Sequence, residues 1–191
     1  MTTIVLASGS PRREELLRAL GLRFEVLPVD IDETPNEGEA ADPLVRRLSR
    51  CKVAAALDLR GDDGSLVVAA DTVVVVDGAV LNKPADPEEN RAFLRRLAGR
   101  AHHVLTGHTL LVGGRRETVV VDTEVRMRAL DDGEIERYVA SGEGSDKAGG
   151  YAIQGRGSAL IGGLVGCYFN VVGLSVPTLV EAAARLGVRL V

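Results

Sequence analysis

The run LVVAADTVVVVDGAVL, from Leu66 to Leu81, constrains the fold more than any other part of the sequence. Its valines and alanines are typical of a strand buried on both faces, and the Asp-Gly pair after them is typical of a turn. Because Asp71 and Thr72 break the apolar pattern, the run predicts a strand, an interruption, a second strand and a turn. A buried carboxylate is costly unless it is paired or meets a metal ion or water. Asp71 therefore lies either in a bulge that faces solvent or in a functional site, and the second alternative is favoured.

Helical and strand patterns are interleaved along the rest of the chain. Helices are predicted over residues 11–20, 42–57, 86–98, 131–141 and 177–186, several of them opened by Asp or Pro and ended by Gly. Strands are predicted over residues 3–7 and 24–29, and residues 102–114 and 117–130 form an antiparallel pair. No linker is long enough to separate independent domains. We therefore expect a single α/β domain over residues 1–191, with a mixed β-sheet and flanking helices.

Charge and composition argue against several classes of protein. A formal net charge of −4 and a pI near 5.5 do not suit a nucleic-acid-binding protein, which would present a basic face. The apolar runs are too short for a membrane span, and no signal-peptide pattern opens the chain. Two cysteines are typical of a cytoplasmic protein without a disulfide framework. Cys51 is predicted to be a buried thiol, on a helical stripe with Leu44, Leu48 and Ala55.

The segment SGSPRREEL, residues 8–16, contains a charge pattern that an ordinary helix start does not explain. Ser10 suits the N-cap position and the proline after it suits the first helical position. Arg12 and Arg13, however, would oppose the helix dipole, which favours negative charge near the N-terminus. A bound anion would reverse the sign of that penalty. This segment is therefore a candidate anion-binding site.

Further charged residues have two open interpretations each. Lys52 either extends past the core to solvent or faces a ligand, and Lys83 is either a solvated turn residue or a ligand contact. Glu33 lies in an acidic loop that is either simply solvated or suited to a hard cation such as magnesium. Taken together with the arginines at the helix start, this inventory favours a polyphosphate bridged by a metal ion.

Two other motifs do not support a function. Of the histidines His102, His103 and His108, strand alternation puts only the first and the last on one face, too far apart to form a compact site without a third ligand, so a zinc site is rejected. The glycines at 155 and 157 are not followed by the third glycine of a dinucleotide-binding fingerprint. Their surroundings also favour a loop leading into a strand, not a strand leading into a helix.

Several segments in order resemble the Maf family of nucleoside triphosphate pyrophosphatases. They are LASGSPRREELL, the acidic loop ending at Glu33, Lys52, AADTVVVVDG, NKP, DKAGGYAIQG and NVVGL, and together they span nearly the whole chain. The resemblance implies a two-lobed fold like that of inosine triphosphatases, with the nucleotide in a central cleft. It also implies a cytoplasmic enzyme that requires a divalent cation, Mg²⁺ or Mn²⁺, and forms a homodimer. The sequence departs from the family at Asn82 and Ser175, where glycine and proline are usual.

The resemblance also implies roles for individual residues. Asp71 would be the general base that activates water, Lys52 and Lys83 would be catalytic, and Glu33 would hold the metal ion together with Asp71. Since an ordinary aspartate has a pKa of about 3.9, a water whose pKa is lowered by the metal would ease the proton transfer. Phosphate and base contacts would come from Ser8, Ser10, Arg12, Arg13, Thr72 and Gln154.

Three of those positions, Arg12, Thr72 and Gln154, resemble the sites that select the base. A sister branch acting on 7-methyl-GTP has Trp, Gln and Glu there, which suit a cationic base. The amide of Gln154 instead matches the O4 acceptor and N3–H donor of thymine or uracil. The sequence therefore predicts hydrolysis of dTTP and UTP to monophosphate and pyrophosphate. The alternatives are that Gln154 only braces its loop, and that the protein is a non-catalytic nucleotide-binding regulator of cell division.

Overall fold

The computed structural model describes residues 2–191, which divide into two compact units. The first unit comprises the chain up to Asp71 together with Thr106–Val121 and Gly173–Val191. The second unit comprises Thr72–Leu105 and Asp122–Val172. Each unit has its own cluster of buried apolar side chains.

The first unit contains the N-terminal βαβα segment and the C-terminal helix. Its complete elements are β1 (Ile4–Leu6), α1 (Pro11–Ala19), β2 (Glu25–Val26), α2 (Ala41–Arg60) and α6 (Val176–Arg185). Strand β2 is shorter than the predicted strand over residues 24–29, because Pro28 has no N–H to donate to a neighbouring strand. β1 pairs in parallel with β2 and with β3 (Leu66–Val76).

The second unit contains the remaining helices. Its complete elements are β4 (Ala79–Leu81), α3 (Pro87–Leu97), α4 (Asp132–Ala140), β7 (Ile161–Val165), α5 (Tyr168–Val172) and two short 3-10 helices, Ala148–Gly150 and Gly155–Leu160. Helix α3 is capped by Asp86, whose carboxylate accepts a hydrogen bond from the N–H of Glu89, and α4 is preceded by a complete capping box from Asp131 and Glu134.

The sheet is mixed, as predicted. Over residues 2–191 it has seven strands. Six of them follow the order β2-β1-β3-β5-β6-β7, where β5 is Ala101–Val112 and β6 is Arg115–Met127, and the seventh, β4, pairs with β3. β3–β4 and β6–β7 are antiparallel, while the pairs that involve β1 are parallel. β5 and β6 are neighbours joined by two glycines, a connection that only antiparallel strands allow. The fold class predicted from the sequence, α/β with a mixed sheet and flanking helices, is confirmed.

The predicted interruption at Asp71 and Thr72 is wrong. β3 runs without a break from Leu66 to Val76, and its residues are buried on both faces almost throughout. Asp71 is itself buried, at 6% exposure, so the bulge that would turn it into solvent is excluded. Only the turn after the strand is as expected, since Asp77 and Gly78 have positive φ angles of 51° and 74° and connect β3 to β4.

The buried face of α2 differs from the predicted stripe by one position. Leu44 and Leu48 are buried as predicted, but Cys51 is exposed, so the prediction of a buried thiol is wrong. The buried face of the helix continues instead through Lys52 and Val53, which lie three and four residues after the buried Ser49. The apolar character of Cys51 suggested a core residue, whereas the helix turns the adjacent lysine inward.

Helix α2 approaches β5 so closely at Gly107 that no larger residue fits. A Cβ atom placed on Gly107 would lie 2.3 Å from the carbonyl oxygen of Val45. Across the same contact the hydroxyls of Ser49 and Thr109 are 2.8 Å apart. This contact fixes the position of α2 against the sheet and therefore the position of Lys52. None of the helices within residues 2–191 has the length and apolar character needed to cross a bilayer.

Two of the three histidines are structural core residues. The Nε2 atom of His102 lies 2.6 Å from the Tyr151 hydroxyl, and Nε2 of His108 accepts a hydrogen bond from the N–H of Ser175 at 2.8 Å. A proline at position 175 could not donate this bond. Burial lowers the pKa of both imidazoles to about 4, with a smaller contribution from Arg13 in the case of His108.

Because these histidines are neutral in the folded protein, stability should decrease in mild acid. Between pH 6.5 and 4 the unfolded chain binds protons that the folded chain does not, so the free energy of unfolding falls as the pH is lowered. His108→Gln keeps an acceptor for Ser175 and removes one such proton. In urea unfolding experiments, we expect this variant to reduce the slope of the free energy of unfolding against pH by about 1.4 kcal/mol per pH unit. The exposed His103, changed to Gln, is the matched control, and a wild-type slope in His108→Gln would contradict this assignment.

Candidate active site

Asp71 is positioned by the alternation of strand β3. Side chains two residues apart share one face of a strand, so Asp71 continues the face that carries Val67 and Ala69. Those two residues pack with Val53 and Ala56 of α2 in the core of the first unit. The carboxylate therefore faces α2 at the point where the apolar contact between strand and helix ends.

Lys52 meets that carboxylate from α2. Its Nζ donates to Asp71 Oδ1 at 2.6 Å, and both side chains are about nine-tenths buried. Neither of these groups is stable as an isolated charge in such surroundings, and each compensates the other. The alternative in which Lys52 simply extends past the core to solvent is therefore wrong.

Glu33 brings a second carboxylate to the same ammonium group. Its Oε1 lies 2.7 Å from Lys52 Nζ, and its side chain is 48% exposed. Lys52 is thus bracketed by one buried and one accessible carboxylate, from β3 and from the loop after β2. Three residues singled out in the sequence, separated by up to 38 positions, meet at one point.

The arginines at the start of α1 lie beside β1. Arg13 Nη1 donates to Ser8 Oγ at 3.1 Å, and Arg13 Nε donates to the carbonyl oxygen of Gly173 at 2.8 Å. Burial lowers the pKa of Arg13 most strongly. The negative charge of Asp71 raises this pKa, and the positive charge of Arg12 lowers it by a smaller amount. Since an arginine stays protonated even so, the guanidinium is a fixed positive charge near the two carboxylates.

Ser10 stands at the N-cap position of α1 as predicted, but its hydroxyl makes no capping hydrogen bond. Its carbonyl oxygen accepts from the N–H of Arg13, and its own N–H donates to Ser8 Oγ at 3.2 Å. Ser8 is buried and so connects the end of β1 to the helix start. The hydroxyl of Ser10 is therefore not committed to the helix end, which fits a role in binding an anion.

The carboxylates of Glu33 and Asp71, which both contact Lys52, are candidate ligands for a divalent cation. Within residues 2–191, no three His, Cys, Asp or Glu side chains form a ready-made metal site. Glu33 and Asp71 nevertheless each place a carboxylate within 2.7 Å of Lys52 Nζ, and Mg²⁺ is commonly bound by one or two carboxylates plus substrate phosphates. The two residues thus fit a cation that arrives with a polyphosphate.

The other predicted site residues belong to the second unit. Thr72 follows Asp71 on β3 and points to the opposite face of the strand. Lys83 is exposed in the loop after β4, and the neighbouring carbonyl of Asn82 accepts a hydrogen bond from the N–H of Gly149. Because a residue of any type can accept that bond through its backbone carbonyl, the asparagine at position 82 is compatible with it.

Gln154 lies just before the 3-10 helix Gly155–Leu160 and is half-buried. The segment before it, DKAGGYAI, is held by Asn90 of α3, whose amide donates to the carbonyl of Gly150 at 2.8 Å. Gly149 and Gly150 have positive φ angles, and a Cβ at Gly150 would lie 2.1 Å from the Asn90 amide nitrogen. Sequence reasoning missed Asn90. The available signal was a polar residue on an otherwise apolar helix face.

Comparisons with known proteins can be set beside this geometry. The chain matches the family described as Maf-like protein over residues 3–186. A dTTP/UTP pyrophosphatase of Myxococcus xanthus is 50% identical over 189 residues, covering 99% of this chain and 95% of that protein. A dTTP/UTP pyrophosphatase of Pelotomaculum thermopropionicum is 46% identical over 189 residues, covering 98% of both.

Among solved structures, a nucleoside-triphosphatase / dITP/XTP pyrophosphatase from Mycobacterium abscessus has a TM-score of 0.41 at 20% identity, over 66% of this chain and 73% of that one. That overlap is too partial to bear on the activity. The family match and the identities of the two relatives cover nearly the whole chain, and they show that the chain belongs to the Maf family.

Proposed function

We propose that this protein hydrolyses nucleoside triphosphates, dTTP and UTP preferentially, to the monophosphate and pyrophosphate. The observation that carries the proposal is the cluster of Lys52, Asp71 and Glu33 beside the half-buried Arg13. Such a cluster combines fixed positive charge for a polyphosphate with a carboxylate that can take a proton. The names of the relatives, which describe dTTP/UTP pyrophosphatases, support the same reaction.

The positive residues bind and neutralise the phosphates in this proposal. Ser8, Ser10, Arg12 and Arg13 hold the phosphate chain at the start of α1, where N–H groups and the helix dipole favour negative charge. Lys52 and Lys83 stabilise the charge that develops on the phosphates during the reaction. Little covalent chemistry is left for the protein, so positioning and electrostatics carry most of the rate.

Asp71 is the general base. Its carboxylate accepts a proton from the water that attacks the α-phosphorus, and the bond to the bridging oxygen breaks so that pyrophosphate leaves. Lys52, 2.6 Å away, holds this carboxylate in one orientation, which a base in a strand interior could not otherwise keep. A divalent cation held by Glu33 and Asp71 would supply phosphate charge neutralisation and a lowered pKa of its bound water.

Gln154, Thr72 and Arg12 select the base. The Gln154 amide carries an acceptor and a donor side by side, which match N3–H and O4 of thymine and uracil. Cytosine reverses both groups, and 7-methylguanine carries a positive charge that Arg12 repels. A cytoplasmic location and a homodimer belong to the proposal on the strength of the family resemblance alone.

Asp71→Asn should lower turnover of dTTP by about 10²–10⁴-fold, because an amide cannot accept the proton. Turnover is measured with magnesium or manganese, and the products are separated to distinguish pyrophosphate from orthophosphate. Asp77→Asn is the matched control, since it makes the same change at an exposed residue just after the same strand.

Release of orthophosphate by the wild type would refute the proposed reaction. Near wild-type turnover in Asp71→Asn would refute the role of Asp71 while leaving the reaction in place. Tight nucleotide binding without turnover under either metal would favour the non-catalytic regulator.

Base selection is tested by the ratio of kcat/KM values for dTTP, UTP, CTP, GTP and 7-methyl-GTP. The wild type should rank dTTP and UTP first, because a mismatched base leaves buried polar groups unpaired. Gln154→Glu should lower kcat/KM for dTTP and UTP relative to kcat/KM for 7-methyl-GTP, because a carboxylate can accept hydrogen bonds but cannot donate them.

Asn36→Asp makes the same amide-to-carboxylate change at an exposed loop residue and should keep the wild-type ranking. If 7-methyl-GTP is the preferred wild-type substrate, or Gln154→Glu keeps the ranking, the assignment of Gln154 is wrong. An unchanged ranking would mean that Gln154 only braces its loop.

A further inference from the structure

The segment that carries Gln154 is held on both sides by two side chains from the end of helix α4. Tyr138 lies on α4, and Glu143 lies three residues after the last residue of that helix. We call these two residues the α4 clamp. Neither residue was singled out in the sequence, and neither has a place in the proposed phosphate chemistry.

Tyr138 holds the side of the segment that precedes Gln154. Its hydroxyl accepts a hydrogen bond from the N–H of Ala152 at 3.0 Å, and both groups are buried. Burial raises the pKa of Tyr138 well above its usual value, so the hydroxyl keeps its proton and can also donate. The Tyr138 hydroxyl also helps to lower the pKa of Glu143, so the two members of the clamp interact.

Glu143 holds the side that follows Gln154. Its Oε1 accepts from the N–H of Arg156 at 2.9 Å, and its Oε2 accepts from the N–H of Gly157 at 2.7 Å. These are charge-assisted hydrogen bonds, which are stronger than bonds between neutral groups. Although burial opposes ionisation, the two N–H donors hold the pKa of Glu143 below its ordinary value. The carboxylate is therefore ionised at neutral pH.

Two glycines leave room for the clamp. A Cβ on Gly155, where φ is +63°, would lie 2.3 Å from Glu143 Oε1. A Cβ on Gly157 would lie 2.9 Å from the Tyr138 hydroxyl and 2.1 Å from the carbonyl oxygen of Ala152. The glycines on either side of Arg156 thus allow a close approach of backbone to clamp, beyond simple loop flexibility.

We propose that Tyr138 and Glu143 are positioning residues for base selection, which fix the backbone on both sides of Gln154 and so fix the orientation of its amide. This inference rests on the proposed function, because it concerns the residue proposed to read the base. The amide distinguishes thymine from cytosine by its orientation: its oxygen must face N3–H of thymine and its NH₂ group must face O4, and cytosine would need the reverse. A displacement of about 1 Å or a rotation of the backbone would allow the reversed pairing, and discrimination would decrease.

The test compares Glu143→Gln and Tyr138→Phe with the wild-type protein. Glutamine replaces one accepting oxygen by an N–H₂ group that faces an N–H donor, and phenylalanine removes the hydroxyl but keeps the ring. We expect the ratio of kcat/KM for dTTP over CTP to fall about tenfold or more in each variant. The loss should come mainly from a higher KM for dTTP, with kcat changed little.

Glu136→Gln and Tyr168→Phe are matched controls, because they make the same changes at exposed residues of the second unit. Both should keep the wild-type ratio. If Glu143→Gln does not fold, Tyr138→Phe decides the outcome alone, since it conserves the volume of the buried ring. A folded clamp variant with the wild-type ratio overturns the inference.

Amide hydrogen exchange separates this inference from the proposed function. Faster exchange at residues 152–157 in the variants, together with a reduced dTTP/CTP ratio, supports the clamp as a positioning device. Faster exchange with an unchanged ratio overturns the inference and leaves the proposed function in place. A wild-type protein that hydrolyses dTTP and CTP equally well refutes the base assignment itself, and the inference with it.

Discussion

The Lys52–Asp71 ion pair is the interaction on which β3, α2 and the proposed chemistry all depend. A lysine in the buried face of a helix and an aspartate in the middle of an apolar strand would each be strongly destabilising alone. Removing one partner of such a pair typically costs about 3–5 kcal/mol, whereas replacing both by apolar residues is often neutral. The pair is therefore poorly explained by stability. It is well explained by a reaction that needs a carboxylate held next to a fixed positive charge.

The surrounding structure is arranged to make that pair possible. Gly107 lets α2 approach the sheet, and the apolar contact of Val53 and Ala56 with β3 brings Lys52 to the level of Asp71. Glu33 adds a second carboxylate from a loop, so part of the cluster stays accessible. In the second unit, Asn90 and the α4 clamp play a comparable role for the segment that carries Gln154. In both units, buried polar side chains orient a group with a proposed role, namely Asp71 within β3 and Gln154 just before a 3-10 helix.

Much of the fold follows from local patterns, and the sequence predicted those parts. The alternation of strand and helix patterns, the Asp-Pro helix start at residue 86 and the Asp-Gly turn are decided by a few adjacent residues. The interruption at Asp71 was predicted wrongly because an unpaired carboxylate would be destabilising inside a buried strand. Its partner, Lys52, lies 19 residues away, and the local pattern does not include it. The exposed Cys51 has a related cause, since the partners of Lys52 decide which side chain turns inward. Asn90 and Glu143 bond to backbone groups 60 and 13–14 residues away. A polar residue on an apolar helix face marks Asn90 as unusual, but no local pattern identifies the distant partner of either residue.

The claim that the buried ion pair serves catalysis and not stability is tested most directly by replacing both partners at once, in Lys52→Met/Asp71→Val. Methionine suits the buried helix face and valine suits the strand, so the apolar contact of α2 with β3 is extended. The free energy of unfolding in urea, measured beside dTTP turnover, should be unchanged within about 1 kcal/mol or higher, while turnover is lost. A double variant that retains turnover, or that is several kcal/mol less stable than the wild type, would contradict the claim.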